Sequence, residues 1–315
     1  MYELIVNHDG TIQQPVVLDD VVWITERKGH PGKLAFSVYN DGLLKIEEGD
    51  HVSFRANKND VFYGFVFKRS WSKDKIVSIT AYDQLRYLKN KDTYRYENKT
   101  ANELIQMIAD DFQLNVGFLE DTGYKIEKRV EDGETLFDII LNALDITLEN
   151  KKKLYILFDD FGKLTLKNME SMKVNLLIDE ASGENYTFSS SIDNSYNQIK
   201  VVYEDETSGK REIYITKDSS NINRWGLLQY FETIDEVNGQ VMVDALIELY
   251  NKKENNLTIN GISGDTRIKA GTSVLVKLDL IDFKIQHWML VEKALHRFRK
   301  DEHFMDLSLR GGGLN

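Results

Sequence analysis

Two separated stretches of this 315-residue chain follow one pattern, and that repeat limits the folds open to it. Ile46-Glu-Glu-Gly49-Asp-His-Val52-Ser-Phe54 and Ile268-Lys-Ala-Gly271-Thr-Ser-Val274-Leu-Val276 share it. Each reads apolar, two polar or small residues, glycine, two polar residues, valine, any residue, apolar. An aromatic-bearing strand pattern follows each, with Phe62-Tyr63-Gly64 in one and His287-Trp288-Met289 in the other. Each then reaches a polar turn, at Lys73-Asp74 and at Lys300-Asp301, after connections of different length. Gly49 and Gly271 are the structural turn residues of this reading, because glycine admits a positive φ at a tight turn before a strand. The repeat predicts a duplicated β unit. The competing reading is that any two hairpins of small barrels look this alike.

The chain around the first copy reads as β. Tyr2 to Val6 and Val16 to Thr25 favour strands, and Gly29-His-Pro-Gly32 makes a turn. Leu34, Phe36 and Val38 then share one strand face, and Val61 to Arg69 and Ile76 to Tyr82 flank a hairpin loop. Short strands divided by Gly and Asp turns predict a small barrel or sandwich.

Composition shifts after residue 92. Thr100-Ala-Asn-Glu103 has the spacing of a capping box, and Leu104, Ile105, Ile108 and Ala109 recur behind it at helical spacing. A second helix is predicted from about Thr135, with Leu136, Ile139, Ile140, Ala143 and Leu144 on one face. Strands are expected at Leu154 to Phe158 and Lys163 to Leu166. From Tyr186 the pattern is β again, with Gln198 to Tyr203 and Ile213 to Thr216 flanking a turn at Thr207-Ser-Gly-Lys210. A helical stretch near Gly239 to Lys252 interrupts it, and four further strands run from Leu257 to Leu309. The glycine-rich end, Gly311 to Asn315, is expected to be mobile.

Charge and composition remove several function classes. A formal net charge of −11 with a pI near 5.2 argues against a nucleic-acid binder. No apolar run approaches the roughly 20 residues of a membrane helix, and the N-terminus lacks a signal-peptide pattern. With no cysteine, thiolate sites and disulfides are excluded. The basic run Lys151-Lys152-Lys153 reads as a solvated loop and His296 to Lys300 as an outer strand face.

No catalytic, cofactor or metal site is assigned. None of the six histidines sits in a zinc-protease pattern. His296, His303 and Asp306 fall near one hairpin, where cross-strand pairing is favoured over metal binding. Asp159-Asp160 and the several Asp-Gly pairs read as turn chemistry. Val130-Glu-Asp-Gly133-Glu-Thr-Leu136-Phe-Asp-Ile139 looks like the opening of a LysM peptidoglycan-binding module. That module needs a second short helix soon after, whereas one long helix is expected here.

An ordered set of short motifs carries a family resemblance across nearly the whole chain. Glu48-Gly-Asp50, Phe62-Tyr-Gly64 and Ala81-Tyr-Asp-Gln-Leu-Arg-Tyr-Leu88 open it. Thr100-Ala101, Gly133-Glu-Thr-Leu136, Asn197-Gln-Ile-Lys-Val201 and Arg224-Trp-Gly226 follow. Together they resemble the XkdQ/YqbQ family of phage-like tail proteins, which is similar to the hub of T-even phage baseplates and to late-control D proteins. The resemblance implies a homotrimer whose subunits each hold two tube-like barrels, six in all, matching a sixfold tail tube above and a threefold spike below.

The expected architecture is β-rich α+β: two related small β-barrels flanking an α/β domain, with a helical insertion in the second barrel. The expected boundaries are 1–92, 93–182 and 183–315, with the insertion at about 219–254. The expected function is a non-catalytic hub subunit of a contractile tail, from an infectious phage, a prophage or a bacteriocin-like particle. Tail tube, spike and other baseplate proteins are its expected partners, with no cofactor, specific nucleic-acid binding or membrane insertion. It would be made in the bacterial cytoplasm and end in the particle. The alternative is a tail-associated protein that binds or hydrolyses peptidoglycan.

Overall fold

The computed structural model describes residues 2–205, 210–234, 239–280 and 284–311. The turn expected at 207–210 falls mostly outside these, and so do residues 312–315 of the glycine-rich end. Most strands join one mixed sheet built as two halves. The N-terminal half runs in the spatial order Val21–Glu26, Lys33–Tyr39, Ile76–Tyr82, Asn59–Trp71, His51–Ala56, Tyr2–His8, Thr11–Gln13. The C-terminal half runs Asn185–Ser191, Glu254–Ser263, Glu302–Gly311, Lys284–Arg299, Ser273–Asp279, Lys173–Ile178.

The halves are joined because Lys284–Arg299, sixteen residues long, outruns its partner Ser273–Asp279. Its surplus pairs antiparallel with Val21–Glu26, from Lys293 opposite Glu26 to Phe298 opposite Val21. Phe298 thereby enters the N-terminal core, edge-on to Phe54 with 4.9 Å between ring centroids. Fully burying such a ring stabilises by about 1.5–3 kcal/mol.

The β-rich α+β class is as expected, while the two related barrels appear here as two half-sheets joined by one long strand. Among the described residues the strand path stays open at both ends. The bridge of Val17 to Val38, with Leu18 N donating to Ser37 O at 2.9 Å, extends the pairing of Val21–Glu26 with Lys33–Tyr39. Apolar residues still alternate inward on each half. Leu4, Val6, Val52, Phe54, Val66 and Ile79 fill one core, and Leu257, Ile259, Val274, Val276, Met305 and Leu307 the other.

The two glycine turns share one hydrogen-bond scheme. Gly49 N donates to Val66 O and Gly271 N to Val291 O, both at 2.8 Å. Val66 N returns to Asp50 O at 2.9 Å and Val291 N to Thr272 O at 2.8 Å. Asp50 N reaches Glu47 O as Thr272 N reaches Lys269 O, and the φ angles are 96° and 92°. Each following long strand slips register at the same place, between Val66 and Lys68 and between Val291 and Lys293. A bulge is a specific device, so its recurrence carries the correspondence well past the turn.

Two further units interrupt the sheet. In the first, α1 (Ala101–Asp111) and α2 (Leu136–Lys151) bury Leu104, Ile105, Ile108, Ile139 and Ile140 against each other and the flanking strands. The Thr100 hydroxyl accepts from Glu103 N, and Glu103 accepts from Thr100 N at 2.8 Å, completing the capping box. The second unit is more than a helix. Lys210–Lys217, Gln198–Asp205 and Gln229–Ile234 form their own sheet, with the outer two antiparallel and parallel to the centre respectively. α3 (Ser219–Trp225) bridges that sheet and α4 (Gly239–Tyr250) packs on its inner face. Strands read from sequence as part of the second barrel therefore belong to this inserted unit. Lys173–Ile178 joins the C-terminal half before the expected boundary at 183.

Thr100→Ala should cost about 1 kcal/mol in urea melts. Leu104→Asp should cost several times more, since it buries an unpaired charge. Gly49 has open space beyond its Cα, whereas a Cβ on Gly271 would run into Ile156. Gly49→Ala should therefore lose only the roughly 1–2 kcal/mol of left-handed strain, and Gly271→Ala clearly more.

Candidate functional site

The segment Asp265–Thr272 touches all three major parts of the molecule. Ala270 N donates to Thr25 Oγ1 of the N-terminal half at 2.9 Å. Gly271 lies against Ile156 of the middle unit. Lys269 Nζ sits 3.9 Å from the centroid of the Phe158 ring and 3.3 Å from Asp160 Oδ1. The ammonium is largely buried, which lowers its pKa against the opposing pull of Asp160.

Two buried carboxyls lie beside it. Asp83 caps the short helix Gln84–Lys89, accepting from Leu85 N at 3.1 Å and from Gly32 N at 2.8 Å. Burial, with Asp159 nearby, raises its pKa well above the usual range. Asp159 Oδ1 accepts from Gly162 N at 2.7 Å, while its buried Oδ2 has no hydrogen-bond partner. Burial raises the Asp159 pKa to about 7. These groups fasten the N-terminal half, the middle unit and the Asp265–Thr272 segment at one point.

A histidine pair holds the other side of the segment. His296 is fully buried, its Nε2 is 2.9 Å from Ile268 O, and its Nδ1 is 2.9 Å from His303 Nε2. A carbonyl only accepts, so His296 carries its proton on Nε2 and His303 donates to Nδ1. Burial lowers the pKa of His296 to about 3 and that of His303 to about 4. Trp23 covers His296 at 4.8 Å between centroids, and Phe298 stacks on His303 at 4.0 Å. Asp306 does not join them; it takes Arg297 Nη1 at 2.6 Å and Gly261 N at 3.0 Å. Among the described residues no group of acids and histidines is placed to hold a metal.

A cleft of about 1050 Å³ opens between α2, α4 and the C-terminal half. Trp288 and Leu275 line one side, and Glu149, Tyr230 and Tyr250 the other. The two tyrosine rings stack at 5.5 Å, and burial with Glu232 and Asp145 nearby raises Glu149 to about 7. Of the basic run, Lys152 pairs with Glu248 of α4, and Lys151 and Lys153 are exposed. The LysM-like stretch lies on the strand Ile126–Thr135 and the start of α2, capped by Thr135; one sixteen-residue helix follows, then two strands.

Sequence reasoning placed Gly271 at a turn but missed the cluster of Asp83, Asp159 and Lys269. The available signal was Asp83 as a helix cap; the three-way contact depends on residues far apart in the chain.

With this geometry in view, the comparisons identify the chain's relatives. Residues 21–310 match the YQBQ-like family. The chain belongs to that family. It is 31% identical over 271 residues to the phage-like element PBSX protein XkdQ of Bacillus subtilis, covering 84% of this chain and 82% of the relative. Among solved structures, the 43 kDa tail protein of prophage MuSo2 from Shewanella oneidensis superposes with a TM-score of 0.71 at 15% identity, over 98% of both chains. The E. coli c3393 protein, a type VI secretion component described as similar to T4 tail proteins gp27 and gp5, gives 0.56 at 10% identity, over 96% of this chain and 76% of that one. The fold of this YQBQ-like chain is thus that of phage tail proteins.

Its buried groups set opposing pH dependences. The unfolded chain protonates both histidines below about pH 6.5, whereas the folded chain resists until about 4 and 3. Stability from the pair is therefore lost as pH falls below 6.5. Asp159 is protonated up to about pH 7 when folded but only to about 4 when unfolded, so its contribution is lost as pH rises from 4 through 7. In urea melts, Asp159→Asn should gain on the parent as pH rises from 5 to 8. His303→Gln should gain on it as pH falls from 6.5 to 4.5. The reverse order would contradict the assignments.

Proposed function

We propose that this chain is a baseplate hub subunit of a phage or phage-like contractile tail, trimeric in the assembled particle. It joins a sixfold tail tube to a threefold spike and leaves a channel at the centre. The observation that carries this reading is the pair of corresponding half-sheets within one chain. Three chains present six such halves, so one face can follow sixfold neighbours while the rest of the molecule keeps threefold symmetry. The names of its relatives, a phage-like element protein and a prophage tail protein, support the same setting.

In this reading the inner surface is built for contact and carries no chemistry. The subunit is made in the bacterial cytoplasm and travels in the particle, with tube, spike and other baseplate proteins as partners. It has no cofactor, and the turn residues Gly49 and Gly271 serve only to shape the two halves. A peptidoglycan-hydrolysing tail protein is the competing reading, and purified cell wall separates the two: the hub releases no product.

With a net charge of −11 per chain, the channel wall is expected to be acidic or neutral, so that DNA passes without adhering. Purified protein should show no salt-sensitive binding of duplex DNA. Electron microscopy of assembled particles should show threefold density between tube and spike. Tight DNA binding at 50 mM salt that fades at 200 mM, or a ring lined by Lys and Arg, would contradict the proposal.

A further inference from the structure

The correspondence between the halves shows one sheet edge used inside the chain and its counterpart left uncovered. Matching turn to turn and bulge to bulge sets Val66 on Val291, Lys68 on Lys293 and Trp71 on His296. The same pairings, followed outward, set Lys33–Tyr39 on Glu254–Ser263 and Val21–Glu26 on Asn185–Ser191. In that register Trp23 corresponds to Phe188 and Thr25 to Ser190.

Within the chain, residues 293–298 pair with residues 21–26. The corresponding partners are residues 68–71 and Asn185–Ser191. Residues 68–71 pair with Ile76–Tyr82 on one edge, and on the other edge His51–Ala56 reaches only as far as Phe65. Among the described residues, Asn185–Ser191 pairs with Glu254–Ser263 alone. Among the described residues, both remaining edges therefore lack a strand, and Trp71 is 64% exposed beside one of them. Such edges are templates for another strand.

We infer that these two edges are each other's partners across a subunit interface: residues 68–71 of one copy pair antiparallel with Asn185–Ser191 of the next. The register follows from the internal joint. Lys68 faces Ser191 of the neighbouring copy, Arg69 faces Ser190, Ser70 faces Ser189 and Trp71 faces Phe188. The last pair reproduces the contact of His296 with Trp23. Ser190 offers a hydroxyl where Thr25 accepts from Ala270 N, and Glu48 N is the matching donor. The partner is a second copy because its edge matches one this chain already binds.

The joint is head-to-tail, so it closes into a ring or grows into a filament according to its rotation. That it closes at three copies rests on the hub reading above.

Engineered cysteines test this cleanly, since the chain has none of its own. Directly opposed residues of an antiparallel pair lie about 4.5–5.5 Å apart at Cα, within the span of a disulfide. Full-length protein carrying Ser70→Cys and Ser189→Cys would be oxidised at high concentration and its covalent products sized by mass. A control carrying Ser70→Cys and Asn185→Cys displaces one thiol by about 13 Å along the strand. The expected result is a closed covalent trimer, formed at least about tenfold more efficiently than in the control. Trimers by light scattering without the disulfide would overturn this interface and leave the hub reading standing. Efficient disulfides in open chains or dimers would support the strand pairing and overturn threefold closure. Equal yields in both variants, or no intermolecular product at any concentration, would overturn the inference.

Discussion

The pairing of Lys284–Arg299 with Val21–Glu26 makes one molecule of the two half-sheets. A ladder of six residue pairs fixes both the distance and the register between halves. Charged ends reinforce it: Arg27 bonds Glu292 through two nitrogens, Lys293 Nζ meets Glu26 at 2.6 Å, and Arg299 meets Asp20 at 2.6 Å. Phe298 and Trp23 place large rings on either side of the seam. Because a one-residue slip would turn Phe298 out of the N-terminal core, the register is strongly specified. Everything hung on either half inherits that geometry.

The Asp265–Thr272 segment then locks the middle unit onto this frame. Lys269 is placed against Phe158 and Asp160 from the C-terminal half, while burial raises the pKa of both Asp83 and Asp159. A buried arrangement of this kind adds little net stability. In the histidine pair the Nε2 proton of His296 goes to Ile268 O and the Nε2 proton of His303 to His296 Nδ1. These polar groups are concentrated where the units meet.

Local features were legible in the sequence. The capping box at Thr100, the apolar face of α2 and both glycine turns depend on neighbours a few residues away, so spacing reveals them. The Gly49 and Gly271 pattern is a short local motif, and the matching hydrogen bonds of the two turns are seen only in the structure. What sequence could not reveal was where a strand ends its pairing. Nothing in Lys284–Arg299 says that its second half leaves one partner for another, and so the two barrel units were read without the strand that joins them. The inserted sheet was hidden for a related reason: Gln229–Ile234 is short and half-exposed, and only its parallel pairing with Gln198–Asp205 makes it a strand. The cluster around Lys269 draws on three distant segments, and no periodicity records that.

The inserted unit leaves and rejoins the sheet at almost the same point. Ser191 lies opposite Glu254, Asn194 Nδ2 reaches Glu254 at 3.2 Å, and Tyr196 N donates to Tyr250 O at 3.2 Å. Its core of Ile199, Val201, Val243 and Leu246 is its own. Topologically it is an elaborated hairpin loop, the kind of place where a domain can be exchanged without changing the strands on either side. Such a module can therefore be traded, with whatever it meets, while the frame of paired half-sheets stays the same.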